Sequence, residues 1–246
     1  MLQNTFLHIP YVGESTEKRL WDRDIRTWDD FLDKDIDIRN KNTIRKYIKL
    51  SKLKYENKDF SFFSHKLSKR YHWRAYKDFQ DNACFLDIET TGFSKTRNDL
   101  TVIGLYNGKE SNVYVKGKNM YQFREDIKKY SFIVTFNGYC FDLPFIQAKM
   151  PEISFNQFHV DLRFVLKGLG YEGGLKKIEK RLGIERESDV SELSGKDAVR
   201  LWYQYKRRND DSALNTLIKY NIEDIENLKY LMDFSYDKLK SNLLVK

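Results

Sequence analysis

The sequence predicts an α/β fold, a mixed sheet flanked by helices, preceded by a small helical domain. Before about residue 80 the chain is basic and carries helical apolar patterns. From Ala83 onward, short strand-like apolar runs alternate with helical patterns, and a hairpin signal joins two of these runs. A length of 246 residues accommodates one full α/β domain and one smaller unit.

The N-terminal part reads as short helices separated by turns. Pro10 and Gly13 mark a tight turn, and Ser15 or Thr16 is positioned to cap the helix that follows. Further helices are expected over Thr27–Leu32 and Lys41–Tyr55. We therefore expect a helical domain over residues 1–60, a linker over 61–80 and an α/β domain over 81–246.

The α/β part has a characteristic order of elements. Strands are expected over Ala83–Ile88, Leu100–Tyr106, Asn112–Val115 and Phe132–Phe136, with Asn107-Gly108 as the hairpin turn. Helices are expected over Tyr121–Lys129, Phe141–Lys149, Asp161–Lys167, Gly174–Leu182, Lys196–Lys206 and Ser212–Asp233. Three antiparallel strands, a helix and then a parallel strand open an RNase H-like sheet, whereas a doubly wound domain alternates strand and helix from the start.

The charge of the chain favours polyanionic partners. Lys and Arg number 44 against 36 Asp and Glu, a formal net charge of +8, and the sequence pI is about 9.2. Cys84 and Cys140 lack metal-binding spacing, and four scattered histidines do not suggest a histidine site, so the cysteines are expected to be reduced core thiols. No apolar stretch is long enough to span a membrane and the N-terminus does not read as a secretory signal, so a cytoplasmic protein is expected.

Acidic residues occupy positions suited to chemistry. Asp87 and Glu89 flank Ile88 at a strand end, where period-two alternation sends both side chains to one face. Asp142 lies in the first turn of a helix that follows a strand. Asp224 lies in the last long helix, four residues after Tyr220 and on the same helical face.

Such a cluster requires cations, because packed like charges repel and raise one another's pKa. Ligation by oxygen alone favours Mg²⁺ or Mn²⁺ over zinc. Two ions about 3.5–4 Å apart stabilise the attacking and leaving oxygens of a phosphodiester. The simpler interpretations are a solvated strand end for Asp87 and Glu89, a helix-dipole charge for Asp142, a solvated helical face for Asp224 and a core aromatic for Tyr220.

Three motifs carry a family resemblance. Residues 87–92 read Asp-Ile-Glu-Thr-Thr-Gly and resemble the first motif of DEDD-superfamily exonucleases. Asn137-Gly138 followed by Phe141-Asp142 resembles the second motif, and Tyr220 with Asp224 resembles the third in its tyrosine form, DEDDy. Residues 173–183 are similar to proofreading domains of family B polymerases. The overall pattern, over about residues 83–233, is similar to the YprB-like group of RNase H-like exonucleases.

The resemblance implies a metal-dependent 3′–5′ exonuclease that releases 5′-mononucleotides. Asp87, Glu89 and Asp224 would hold two Mg²⁺ or Mn²⁺ ions, with Asp142 acting mainly through water, and Tyr220 would orient the attacking water. These residues form the expected catalytic set. Thr90 would help to seat the 3′-terminal nucleotide, and Asn137 is either a second substrate contact or simple turn chemistry.

The expected partners are single-stranded DNA or RNA 3′ ends, with DNA favoured. An RNA or oligonucleotide exonuclease of the same fold, a non-catalytic nucleic-acid-binding module and a structure-selective endonuclease are the alternatives. Residues 9–13 resemble a helix–hairpin–helix motif, which binds phosphate through backbone N–H groups. Tyr11 occupies the usual position of the first hairpin glycine, so this copy departs from the pattern, and a plain packing domain is the alternative for residues 1–60.

Overall fold

The computed structural model describes residues 1–244 and divides into two compact units. The N-terminal unit comprises residues 1–80 and 156–159, and the C-terminal unit comprises residues 81–155 and 160–246, of which residues 245 and 246 lie outside the described part. Residues 61–80 are not a linker, because they fold into the N-terminal unit and bury aromatic side chains such as Phe63, Tyr76 and Phe79. The second unit starts at Asp81.

The N-terminal unit consists of short helices. Its α-helices are α1 (Glu14–Trp21), α2 (Trp28–Asp33), α3 (Lys41–Glu56), α4 (Phe60–Lys66) and α5 (Tyr76–Phe79), with 3₁₀ helices at Leu2–Asn4 and Lys69–Ala75. Thr27 and Asp30 form a capping box that fixes the start of α2. The cap predicted at Ser15 or Thr16 is wrong, because extended Gly13 is the N-cap of α1. Tyr11 has a φ of 69° in the preceding turn, and the helix–hairpin–helix assignment stays a prediction.

The core of this unit is aromatic and contains a buried ion pair between Glu17 and Arg74. The rings of Trp28 and Phe63 stack with centroids 6.0 Å apart. Arg74 Nη1 donates to Glu17 Oε2 at 2.7 Å, and both side chains are 4% exposed. Glu17 Oε1 also accepts from the Thr5 hydroxyl at 2.8 Å and from the Phe6 N–H at 2.7 Å. The buried carboxylate is therefore fully compensated by local donors.

A mixed β-sheet has five strands, β1 (Ala83–Thr90), β2 (Leu100–Tyr106), β3 (Ser111–Val115), β4 (Phe132–Thr135) and β5 (Phe158–Asp161). Their order in the sheet is β3-β2-β1-β4-β5, and all of them belong to the C-terminal unit except the first two residues of β5, which fall in the range 156–159. β1 pairs antiparallel with β2 and parallel with β4, and β2 pairs antiparallel with β3. The predicted RNase H-like order is confirmed, and β5 is a strand that the sequence did not indicate.

The helices of this unit follow the predicted sequence of elements with adjusted bounds. They are α6 (Phe123–Asp126), α7 (Asp142–Lys149), α8 (Leu162–Gly168), α9 (Leu175–Arg181), α10 (Gly195–Arg208) and α11 (Asp211–Leu244), with 3₁₀ helices at Gln80–Asn82, Met120–Gln122 and Ile127–Lys129. The helix predicted over Tyr121–Lys129 is wrong in type, because most of that stretch forms 3₁₀ turns around the single α turn of α6.

The two faces of β1 carry different side chains. Cys84, Leu86 and Ile88 belong to a core cluster with Phe145 and Ile146 of α7. The opposite face lies under α11, which packs on both β1 and β2. Alternation along the strand therefore sends Asp87 and Glu89 towards the long final helix. Cys84 is a buried free thiol as expected, whereas Cys140 is exposed, so its expected core position is wrong.

Among residues 1–244, no helix combines the length and apolar character needed to cross a membrane.

Replacing Glu17 with alanine should lower the free energy of unfolding of the N-terminal unit by about 3–5 kcal/mol, because Arg74 would stay buried without its carboxylate. Urea denaturation measures the loss. Glu14→Ala on the same helix is the control, since the Glu14–Arg70 pair is 64% and 74% exposed and should contribute less than about 1 kcal/mol. Equal losses in the two variants would contradict the assignment.

Candidate metal centre

Two acids of the site come from the end of β1. Asp87 and Glu89 lie two positions apart and face α11, and the Glu89 side chain is buried. The strand is held on one side by β2, where Asp87 pairs with Gly104 and Glu89 with Val102. The register shifts between Glu89 and Thr90, so the acids occupy the last regular positions of the ladder.

The third acid comes from α11. The side chains of Asp87, Glu89 and Asp224 each offer a carboxylate oxygen, and these oxygens lie within 4.8 Å of one another. Tyr220 is one helical turn before Asp224 and is also buried. Burial and the negative charges of Asp224, Glu89 and Asp87 raise the pKa of the Tyr220 hydroxyl. The structure therefore brings four of the predicted site residues together.

Asp142, the fourth acid, lies at the first position of α7 and is 3% exposed. Its charge reaches the same centre, because it contributes to raising the pKa of both Asp87 and Glu89. It lies outside the compact group that Asp87, Glu89 and Asp224 form among the described residues. The expected role of Asp142, to act mainly through water, stays a prediction.

Burial and mutual repulsion shift the acids towards their protonated forms. Burial, followed by the charges of Asp224 and Asp142, raises the pKa of Asp87 and Glu89 well above the ordinary range. Burial raises the pKa of Asp142 to about 8. The pKa of Asp224 is raised to about 6, mainly by burial, with the guanidinium of Arg186 opposing the shift. The complete set of charged carboxylates is thus favourable only when further positive charge is present.

The donor set fits a hard divalent cation. All the candidate ligand atoms are carboxylate oxygens, and no histidine or thiol joins the compact group within the described part of the chain. Oxygen ligation at this spacing suits Mg²⁺ or Mn²⁺. A bound divalent cation would replace the protons that burial otherwise retains on these acids.

Arg186 is a site residue that the sequence did not reveal. Its Nη2 donates to Asp224 Oδ1 at 2.5 Å and to Glu179 Oε1 at 2.7 Å, while its Nε donates to Glu179 Oε2 at 2.7 Å. The Arg186 side chain is 5% exposed. This buried cation neutralises part of the acid cluster and keeps the pKa of Asp224 lower than burial alone would. An arginine in an irregular segment carries no sequence signal of such a role.

The two predicted substrate contacts have local partners. The Thr90 hydroxyl donates to the Gly92 carbonyl at 2.8 Å, which shapes the turn after β1. Asn137 has a φ of 68°, and its Oδ1 accepts from Arg163 Nη1 at 2.6 Å. The Asn137 N–H donates to Asp161 Oδ1 at 2.7 Å. The backbone and side chain of Asn137 thus both take part in this turn, and Asp161 is buried and caps the turn and α8.

An exposed aromatic ring follows the first motif. Phe93 is 92% exposed, and its ring centroid lies 6.1 Å from that of Phe141, the residue before Asp142. Its loop is ordered by side chains, since Asn98 Oδ1 accepts from the Ser94 N–H at 2.9 Å and Thr91 Oγ1 accepts from the Asp99 N–H at 2.8 Å. In the sequence, only an isolated phenylalanine in a polar loop indicated this exposed ring.

Comparison with known proteins identifies the family to which residues 84–236 are similar. A family model described as RNase_H superfamily matches residues 84–236. The family B DNA polymerase from the hyperthermophilic archaeon Pyrobaculum calidifontis is 16% identical, with a TM-score of 0.52 over 61% of this chain; the match spans only 24% of the polymerase. The RNase H-like fold and family that the motif-based resemblance implied are confirmed.

Structures of NrnC from Brucella melitensis are also similar. The form with bound Mg²⁺ is 18% identical, with a TM-score of 0.33 over 67% of this chain and 89% of NrnC. The form bound to pGG is 19% identical, with a TM-score of 0.33 over 67% of this chain and 88% of NrnC. No curated protein matches the sequence.

Without divalent cations, the melting temperature should fall as the pH rises from about 7 to about 8 and should level off above that pH. The folded-state pKa of Asp142, about 8, exceeds its ordinary value, so the stability it confers is lost as pH rises through that value. His8 and His159, whose pKa burial lowers to about 3, are neutral throughout this window and add no slope. Thermal melts in EDTA measure the slope.

Asp142→Asn should flatten this decline because the amide does not ionise, and saturating Mg²⁺ or Mn²⁺ should flatten it in the wild type. Parallel curves for wild type and Asp142→Asn would contradict the electrostatic account.

Proposed function

Because the chain belongs to the RNase_H superfamily, we propose that its buried acid cluster makes it a metal-dependent 3′–5′ exonuclease of the DEDDy type. The observation that carries the proposal is the convergence of carboxylate oxygens of Asp87, Glu89 and Asp224 within 4.8 Å, while the charge of Asp142 helps to raise the pKa of Asp87 and Glu89. A buried surplus of carboxylates lowers stability, so its retention on a nuclease fold favours catalysis over a structural role.

The proposed site uses two divalent ions, Mg²⁺ or Mn²⁺. When bound, such ions lower the pKa of water and stabilise negative charge on the oxygens of the scissile phosphate. Asp87, Glu89 and Asp224 would hold them, and Asp142 would contribute through water. The buried Tyr220 hydroxyl, whose raised pKa keeps it protonated, can orient a water molecule as a hydrogen-bond donor or acceptor. Thr90 and Asn137 are the proposed contacts to the terminal nucleotide.

We propose single-stranded 3′ ends as substrate, with DNA favoured and 5′-mononucleotides as products. The exposed ring of Phe93, beside Phe141 and Asp142, offers a surface on which an unpaired base can stack. The net charge of +8 attracts the phosphate backbone without distinguishing sugars. Relative rates on matched DNA and RNA strands separate the DNA exonuclease from its RNA counterpart.

With Mg²⁺ or Mn²⁺, the wild type should shorten a 5′-labelled single strand from its 3′ end. Asp87→Ala and Asp224→Asn should each reduce the rate by at least about 10³-fold, because an unpaired or missing ligand disrupts the cation site. Gel electrophoresis of the labelled products gives the polarity and the rate.

Glu226→Gln is the matched control for Asp224→Asn, since Glu226 is an exposed acid two residues further along α11 and bonds the Ser111 hydroxyl. It should cleave like the wild type. Cleavage that persists on a strand with a blocked 3′ end would indicate an endonuclease. Binding without hydrolysis of either DNA or RNA would indicate a non-catalytic module.

The N-terminal unit supplies a second proposed contact with nucleic acid. Residues of α1, the turns on either side of it and the segment 37–40 that precedes α3 line a cleft of about 300 Å³. Arg19, Arg23 and Arg39 line it, and none of them forms an ion pair with a carboxylate in the described residues. Several lysines of α3 are already paired, including Lys52 with Asp29 and Lys54 with Asp59. The arginine cleft is therefore the better candidate for phosphate binding in this unit.

Replacing Arg19, Arg23 and Arg39 together with alanine should weaken single-strand binding and lower the slope of log K against log salt by about 2, for three lost phosphate contacts. Fluorescence anisotropy with a labelled oligonucleotide, titrated at several salt concentrations, measures both quantities. The control is the triple alanine variant of Arg45, Lys46 and Lys49 on α3, which removes the same formal charge. Equal losses in the two triple variants would contradict a site in the cleft.

A further inference from the structure

One buried polar residue beside the acids has no role in the proposed chemistry. Asn221 lies between Tyr220 and Asp224 on α11, and its side chain is completely buried. Its Nδ2 donates to Asp87 Oδ2 at 3.0 Å. Its Oδ1 has no hydrogen-bond partner in the part of the chain that the structure describes. A buried amide that leaves one acceptor unpaired is unfavourable for stability, so its retention requires another explanation.

The neighbouring strand is shaped to admit this amide. Gly104 of β2 lies directly opposite Asp87 in the antiparallel register. A Cβ atom on Gly104 would lie 2.1 Å from Asn221 Oδ1 and 3.1 Å from Asn221 Cγ. Gly104 is not among the glycines with positive φ, so the residue is needed for space rather than for backbone conformation. Asn221 fills the volume that a side chain at position 104 of β2 would occupy.

We propose that Asn221 is a positioning residue that fixes the carboxylate of Asp87 for cation binding, and that Gly104 leaves the space that its amide occupies. The amide engages Oδ2 of Asp87 and so leaves Oδ1 free to serve as a ligand. An asparagine suits this position because it donates a hydrogen bond without adding a further charge to the cluster. Outer partners of this kind orient the groups that hold metal ions. This inference rests on the proposed function only in requiring that the acids bind a divalent cation.

The test measures Mn²⁺ affinity by isothermal titration calorimetry on the full chain, with Mn²⁺ alone as the probe. Asn221→Leu keeps the side-chain volume but removes the donor, and it should weaken Mn²⁺ binding about 10- to 100-fold. Asn221→Ala should do the same. Turnover of a single-stranded substrate should fall in kcat with little change in KM, because the strand itself does not contact Asn221 in this proposal.

Gly104→Ala approaches the same contact from the opposite side. Its methyl group should displace the Asn221 amide and weaken Mn²⁺ binding, although Asn221 itself is unchanged. In the Gly104→Ala/Asn221→Ala double variant the amide is absent, so the methyl group should add little further loss. Ile225→Val is the packing control, because Ile225 Cδ1 would lie 3.1 Å from the same Cβ and has no polar contact. It should bind Mn²⁺ like the wild type.

Far-UV circular dichroism and melting in EDTA establish that each variant is folded, and Asn221→Leu retains the packing if Asn221→Ala does not fold. Folded Asn221 variants that bind Mn²⁺ like the wild type would overturn the inference while leaving the exonuclease proposal intact. Additive losses of Mn²⁺ affinity in the double variant would overturn the role of Gly104 in making space for the Asn221 amide. A wild type that binds Mn²⁺ but cleaves no strand would instead overturn the proposed function and leave the role of Asn221 standing. A wild type that does not bind Mn²⁺ would overturn both.

Discussion

The arrangement of residues around the candidate metal centre of the C-terminal unit is governed by repulsion among carboxylates that are removed from water. Asp87, Glu89, Asp142 and Asp224 are all buried well enough that their pKa values rise. Burying several like charges is among the most costly arrangements in a protein interior, unless protons or cations compensate them. Neighbouring residues offset part of this cost, and each of them contacts a different acid.

These contacts require α11 to approach the sheet closely. Gly104 removes a side chain from β2 at the position opposite Asp87, which lets the Asn221 amide reach the carboxylate. Arg186 enters from the segment after α9 and bonds Asp224 while Glu179 holds the other edge of its guanidinium. Asn227 Nδ2, also on α11, donates to Glu179 at 3.0 Å. One long helix thus carries an acid, its neighbouring amide and part of the support for the arginine.

The sequence predicted the parts of this structure that repeat with a simple period. Alternation along β1 indicated that Asp87 and Glu89 share a face, and helical spacing placed Tyr220 beside Asp224. The fold class and most helices and strands followed from similar patterns. In residues 61–80 the helices are short and the aromatic residues have no clear period, so the sequence pattern does not distinguish this stretch from a linker. β5 reads Phe-His-Val-Asp and lacks the continuous apolar run that indicated the equally short β4.

The supporting residues of the site were less accessible to sequence reasoning. Arg186 acts from an irregular segment, where neither spacing nor periodicity identifies a partner almost forty residues away. Asn221 did carry a signal, because it falls on the same apolar stripe of α11 as Leu217, Ile225 and Leu228. A polar residue on a buried helical face implies a specific partner. The pattern cannot name that partner, since Asp87 is brought opposite Asn221 only by the packing of helix on sheet.

The balance of buried charge distinguishes the two polar clusters of this protein. In the N-terminal unit, Glu17 accepts hydrogen bonds from Thr5, Phe6 and Arg74, so one buried acid meets one buried cation and additional donors. In the C-terminal unit Arg186 contacts only Asp224 among the four site acids, and the remaining acids have no side-chain cation within the described contacts. A balanced cluster is costly to break, because removing one partner leaves a buried charge without compensation. A cluster with surplus acid stays incomplete until a further cation binds, and this surplus is the physical reason to propose catalysis at β1 and α11 rather than at the buried pair of the N-terminal unit.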